Sequence, residues 1–303
     1  MTPVVEAVSV LIPTLGRPDL LERCLLSILA CDPLPDEIVV VDQSFGDDVV
    51  DLIEMLDAAL VRRVPCEGTG IARAMNDGLA ALRNDAVLVT HDDCTVARDW
   101  VGVGARHARN HPDGIITGRV LPPDGSPYVP STKGDPVPKD FTGTVTSGVL
   151  YPANMVADRR CIQAIGGFDE RRSLIVAEDN DLCYRWLVGG RTFRYEPDLI
   201  VWHHDWRTPE QLVMTHIAYA RAQGGFYAKH LHAGDLRVLR MLSWDLRKGC
   251  RKTVLGVLRR QPRWQEPYRE MVLSLLAGLA IGWRESRTLD RASRRSTTSP
   301  PSH

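Results

Sequence analysis

The chain has 303 residues, 44% apolar and 25% charged, which excludes a low-complexity or fibrous protein and allows one large domain or two moderate ones. Its net charge of −1 hides a division, because residues 236–303 hold 15 Lys+Arg against 5 Asp+Glu while the remainder carries a net −11. An acidic body with a basic C-terminal third suggests a polyanionic partner or an anionic membrane surface, and no nucleic-acid partner is expected.

Strands and helices alternate from the start. Residues 8–12 read as a first strand that runs into Pro13-Thr14, with Asp19 placed to cap a helix carrying Leu21, Cys24, Leu25 and Ile28. Residues 38–41 are a second strand ending at Asp42, 49–60 a helix and 61–64 a short strand. Gly70 opens a helix to Leu82 with Ile71, Met75 and Leu79 on its apolar side, and the β-branched run at 87–89 is a buried strand. This order predicts an α/β fold with a mostly parallel, Rossmann-like sheet. Residues 122–146, rich in Pro, Gly, Ser and Thr, form a long loop, long enough to be functional. A helix at 159–165, the Gly166-Gly167 turn, a helix at 177–188 and two edge strands at 192–195 and 199–202 follow. Beyond Thr208-Pro209 the pattern is helical to about Trp283, and 286–303 lacks the apolar residues for a packed structure. The longest apolar stretch, 271–283, is too short to span a bilayer. Seven cysteines without a Cys-x-x-Cys pair, and no leader-like N-terminus, fit reduced thiols in the cytoplasm.

The acids carry the chemistry. Asp92 and Asp93 follow the 87–89 strand, at the carboxyl end where open α/β sheets place their ligands. Two adjacent carboxylates repel, so a cation between them and a diphosphate is one reading and a solvated turn the other. Asp42 ends a neighbouring strand, suited to a nucleobase or ribose or else to capping a turn. Arg73 lies in the first turn after Gly70, where a guanidinium and backbone N–H groups meet phosphate, or else is a surface residue. Glu178-Asp179 opens a helix, where acids complement the dipole, yet three acids in four residues exceed what capping needs; one can serve as a general base. His203 follows an apolar strand and is a candidate metal ligand alongside Asp93.

Eight ordered segments carry a family resemblance: Val10-Leu-Ile-Pro-Thr14, Val39-Val-Val-Asp42, Gly70-Ile-Ala-Arg-Ala-Met-Asn-Asp-Gly78, Thr90-His-Asp-Asp-Cys94, Asn154-Met155, Gly166-Gly-Phe-Asp-Glu170, Glu178-Asp-Asn-Asp-Leu182 and Val201-Trp-His203. Over residues 8–208 the chain resembles the family 2 glycosyltransferases of GT-A fold, bacterial type. The resemblance implies an inverting, metal-dependent transferase moving sugar from a UDP-, dTDP- or GDP-linked donor to a glycan or lipid-linked acceptor, in cell-surface polysaccharide or glycolipid synthesis. By its motifs, Pro13, Thr14, Arg17, Asp42, Gly70, Arg73, Asp92 and Asn154 hold the nucleotide-sugar. Asp93 and His203 bind Mg²⁺ or Mn²⁺, and Asp179 is the base with Glu178 beside it. It also implies a catalytic domain at 1–208, divided into a nucleotide-sugar half (1–118) and an acceptor half (119–208). A helical region at 209–285 and a disordered tail at 286–303 complete the chain, with 236–290 facing anionic lipid at the cytoplasmic face of a membrane.

One departure stands out. The family often has a third Asp where this chain has His91, which keeps open a second reading, a catalytically silent module that binds sugar nucleotide or a partner. A nicotinamide dehydrogenase is disfavoured, since no Gly-x-Gly-x-x-Gly follows the first strand.

Overall fold

The computed structural model describes residues 7–124, 131–143, 148–204, 207–258 and 267–298. The chain divides into two compact units, the first made of Met1–Asp169 and Leu182–Trp206, the second of Glu170–Asp181 and Arg207–His303. One division falls between Trp206 and Arg207, and the Glu178-Asp179 segment groups with the C-terminal helices.

In the first unit β1 (Ser9–Thr14), α1 (Pro18–Leu29), β2 (Glu37–Asp42), α2 (Asp48–Leu56), β3 (Val61–Pro65), α3 (Ile71–Ala81) and β4 (Ala86–Thr90) alternate as expected. There follow β5 (Cys94–Val96), α4 (Trp100–Asn110), β6 (Ile115–Leu121), β7 (Lys139–Phe141), β8 (Asn154–Asp158), α5 (Arg159–Ala164), α6 (Glu178–Val188) and β9 (Phe193–His203). The sheet runs β3-β2-β1-β4-β8-β6-β9-β5, with β7 paired to β9. Its first four strands are parallel. Beyond β4 the sheet is mixed, because β8 is antiparallel to both β4 and β6 while β6 and β9 are parallel. Neighbouring residues of one strand point to opposite faces. Accordingly Val10, Ile12, Ile38, Val40 and Leu88 enter one buried cluster, and Leu11, Val39, Val41, Val87 and Val89 the other.

Three local expectations change. Helix α1 starts on Pro18, whose fixed φ suits the first helical position, so Asp19 lies in the first turn and Arg17 takes the cap position without a side-chain cap bond. The two edge strands at 192–195 and 199–202 are a single interior strand, β9, with a register shift opposite Gly118/Arg119 that breaks the hydrophobic pattern. The 122–146 loop contains β7 and a bridge from Lys133 to Val120; residues 125–130 and 144–147 lie outside the described residues.

The second unit holds a 3₁₀ turn at Arg172–Leu174, the first turn of α6, and the helices α7 (Pro209–His232), α8 (Val238–Leu258) and α9 (Tyr268–Thr298). Thr208 and Gln211 form a reciprocal capping box at the start of α7. Helices α7 and α9 meet along glycines. A Cβ on Gly224 would strike the Leu275 carbonyl, one on Gly278 the Arg221 carbonyl, and one on Gly225 the Ser173 carbonyl. Gly224-Gly225 thus serves close packing. Helix α9 continues to Thr298, through residues expected to be disordered from 286; residues 299–303 lie outside the described residues. Ser286 is buried, the Glu285 carboxylate accepts from the Arg172 and Ser173 amides at 3.0 Å each, and Arg, Leu and Ala extend helices readily. Among the described residues no helix is long and apolar enough to cross a membrane.

Candidate active site

In the first unit the carboxyl ends of β1, β2 and β4 lie side by side. Thr14 is in register with Asp42, and its hydroxyl donates to Asp92 Oδ2 at 2.8 Å. The turn after β4 is closed by the Cys94 amide on the His91 carbonyl at 3.1 Å, which places Asp92 and Asp93 at its head. Both are buried. Arg17, expected to hold the nucleotide-sugar, sits against both of them. Its Nε donates to Asp92 Oδ2 at 3.1 Å, its Nη2 lies 2.7 Å from Asp92 Oδ1, and its Nη1 lies 3.6 Å from Asp93 Oδ2. A cation for the acidic pair is thus built into the chain.

His203 reaches the same place by sheet register. Strand β5 pairs antiparallel with β9, so Cys94 faces His203, and His203 Nε2 lies 3.5 Å from Asp93 Oδ2. Burial pushes the Asp93 carboxyl up, but His203, with His91 and Arg17 behind it, outweighs burial and holds it well below the usual carboxylate range. Asp92 goes the other way. Burial, opposed by Arg17 and reinforced by the charge of Asp93, pushes it up to about 6.

The remaining candidates divide. Asp42, buried at the end of β2, accepts from the Ser44 amide at 2.8 Å and from Arg63 Nε at 2.7 Å. Arg63 was not a candidate, although a basic pair on a strand beside one ending in Asp is a usable signal. Pro13 is buried next to Thr14 in β1. Gly70, at φ +131°, caps α3, and Arg73 is exposed one turn on. Asn154 is a correction. Its side chain is fully buried, donates to the Arg119 and Leu199 carbonyls at 2.9 Å each, and accepts from Trp100 Nε1 at 2.9 Å. Both amide hydrogens are used, so Asn154 fastens β6, β9 and α4 and has no donor left for a ligand.

The second unit carries the other acidic pair. Val176, a β-branched residue at φ +65°, turns the chain into α6, a strained conformation that only its surroundings can hold. Glu178 is buried, and its Oε2 has no hydrogen-bond partner among the described residues. Asp179 Oδ1 accepts from the Asn180 amide at 2.7 Å. Burial, then the charge of Asp179, raises the Glu178 carboxyl; burial also raises Asp179, against the backbone amide that favours its anion. Asp181, one turn into the helix, is fully buried and held by Lys229 Nζ at 2.6 Å and His230 Nε2 at 2.9 Å. This anchor was not foreseen, since Lys229 and His230 are 48 and 49 residues away along the chain.

The fold has counterparts. Residues 9–149 match the family Glycosyl transferase family 2. Over 147 residues the chain is 31% identical to the pre-mycofactocin glycosyltransferases of two Mycobacterium tuberculosis strains, covering 46% of this chain and 31% of theirs. It therefore spans about a third of the length of these relatives. In structure it resembles the mannosyltransferase PcManGT of Pyrobaculum calidifontis, solved with GDP-Man and Mn²⁺, at a TM-score of 0.58 and 19% identity over 92% of this chain and 86% of that one. It also resembles S. aureus TarS 1-349, solved with UDP, at a TM-score of 0.56 and 16% identity over 96% and 92% of the two chains. The chain thus has the GT-A fold of these solved transferases, and its residues 9–149 match glycosyltransferase family 2.

Proposed function

We propose that this protein is an inverting, divalent-metal-dependent glycosyltransferase that moves a sugar from a UDP-, dTDP- or GDP-linked donor to a glycan or lipid-linked acceptor. The proposal places it in cell-surface polysaccharide or glycolipid synthesis, at the cytoplasmic face of a membrane. One observation carries the reading: in a GT-A fold, a buried Asp93 held anionic lies 3.5 Å from the buried His203 imidazole at the carboxyl edge of the sheet. An anionic oxygen and an imidazole nitrogen converging there fit a divalent ion. The nitrogen favours Mn²⁺ over Mg²⁺, which prefers an all-oxygen shell. When bound, the ion offsets negative charge on the departing nucleoside diphosphate.

The chain's own residues supply the rest. Asp42 accepts hydrogen bonds from the nucleoside, and the Gly70 cap and Arg73 meet the phosphates at a helix N-terminus. Asp179, with its raised affinity for a proton, takes it from the acceptor hydroxyl as that oxygen bonds to the anomeric carbon. The sugar–phosphate bond breaks on the opposite side, which inverts the configuration. The exposed Leu239, Trp244 and Val254 of α8 lie among Arg240, Arg247, Lys248 and Arg251, the composition of a helix resting on anionic lipid.

Thermal-shift measurements with a panel of nucleoside diphosphates, with and without Mn²⁺, test the central reading. The expected result is stabilisation by one nucleotide that needs the metal. The contact of Arg17 with both carboxylates favours one second reading, a silent module in which that guanidinium stands in for the ion; nucleotide binding indifferent to metal, with no transfer, would support it. Flotation with phosphatidylglycerol-containing vesicles tests the membrane role, and a chain that stays at the bottom of the gradient refutes it.

A further inference from the structure

Away from the acidic pairs, the end of α4 and the middle of β9 bring His107, His111 and Glu196 together, with one potential ligand atom from each within 4.8 Å of the others. His107 and Glu196 are buried and His111 is half-buried. The two histidines are four residues apart, so a helical turn places them on one side, and Glu196 comes from the adjoining strand. The ring of His107 points to what the cluster binds. Its Nε2 lies 2.8 Å from Asp198 Oδ1, while its Nδ1 is buried without a hydrogen-bond partner among the described residues, in a side chain only 8% exposed. Donation of the Nε2 hydrogen to Asp198 leaves Nδ1 as a lone pair with no proton to meet, the form in which imidazole ligates a metal. A carboxylate on the far nitrogen is the usual support of such a ligand.

The other partners agree. Arg194 Nε donates to Glu196 Oε1, which leaves Oε2 as an acceptor, and Arg194 is itself held by Asp140 at 2.9 Å. His111 follows the last residue of α4, where the helix dipole favours positive charge. Two imidazoles and one carboxylate match Zn²⁺, which takes ligands about 2.0–2.2 Å away and hence roughly 3.4 Å from one another. A modest contraction of the cluster reaches that spacing, and the fourth position is left for water. Glu196 and His203 are seven residues apart in β9, roughly 20 Å along a strand, so the cluster is separate from the Asp93–His203 pair.

We propose that His107, His111 and Glu196 form a Zn²⁺ site that ties the end of α4 to β9, with Asp198 orienting His107. The test uses the full chain stripped of metal with a chelator and titrated with Co²⁺ as a spectroscopic probe, then displaced with Zn²⁺. One tetrahedral Co²⁺ equivalent is expected, retained in Asp93→Asn, lost in both His111→Ala and Glu196→Gln, and weakened 10–100-fold in Asp198→Asn. Zn²⁺ should raise the melting temperature of Asp93→Asn and leave a folded His111→Ala unchanged. Tetrahedral Co²⁺ binding that survives in His111→Ala and Glu196→Gln, or that is absent from Asp93→Asn, overturns the site without touching the glycosyltransferase reading.

Discussion

Asp92-Asp93 and Glu178-Asp179 are two acidic pairs of the same chemistry, and their surroundings drive them apart. The first pair sits at the ends of parallel strands with Arg17 and His203 against it, and Asp93 is held as an anion. The second opens a helix after a strained Val176, with a Glu178 oxygen that has no hydrogen-bond partner among the described residues, and both its carboxyls keep their protons more tightly than usual. Asp93 is biased toward its anion, and Glu178 and Asp179 toward their protonated acids. Divergent environments around titratable groups are how a fold sets such states apart.

The sharpest way to break this contrast is Asp179→Asn. It should lower transfer about 1,000-fold, within the range for a lost general base, while nucleotide binding by calorimetry stays within about twofold of wild type. Near-native turnover would leave the second pair without its assigned task. Asp93→Asn should cost at least about 100-fold and abolish the Mn²⁺-dependent part of the nucleotide thermal shift. If that shift persists, the ion is held elsewhere.

Backbone packing offers the next test. Gly278→Ala forces a methyl group onto the Arg221 carbonyl and should destabilise the second unit by about 3 kcal/mol, read as a loss of melting temperature. Asp92→Asn acts in the opposite sense. The folded state holds the Asp92 proton up to about pH 6, while the unfolded chain releases it near 3.8. The contribution of Asp92 to stability is therefore full below that lower value and lost as pH rises through about 6. The amide variant should gain about 2 kcal/mol at pH 7.5, out of about 3 from the shift less what Arg17 loses, and show a flatter stability profile between pH 4 and 7. A loss of stability at pH 7.5 would show that the Arg17 contact outweighs burial. The smallest effect concerns onset. For wild type, kcat/KM should rise with pH starting above the ordinary carboxylate range, because the base must first lose a tightly held proton. Glu178→Gln should leave that onset in place, because burial and not a Glu178 charge raises Asp179, and a large shift would show that the two acids titrate as one unit.

Much of this was readable in the chain. The apolar runs at 38–41 and 87–89 are buried parallel strands because both faces are covered, and such strands end where ligands sit. Contacts made across the sheet were not readable. Arg17 looks like a phosphate binder until Asp92 and Asp93 are placed beside it. Asn154 looks like a polar ligand contact until Trp100 and two carbonyls use it up. Helix α4 escaped notice because Gly102 and Gly104 suggest a loop; in the fold they allow close approach to Pro33 and Leu88. The α9 extension was hidden by its arginines, which read as solvated coil and are compatible with helix.

The Glu285 carboxylate binds the amides of Arg172 and Ser173, a few residues before the Glu178-Asp179 pair. During synthesis the sheet that carries Asp93 leaves the ribosome long before that clasp exists. A nascent or prematurely terminated chain ending before residue 285 keeps most of the residues assigned to the donor, while the segment bearing the base lacks its fastening.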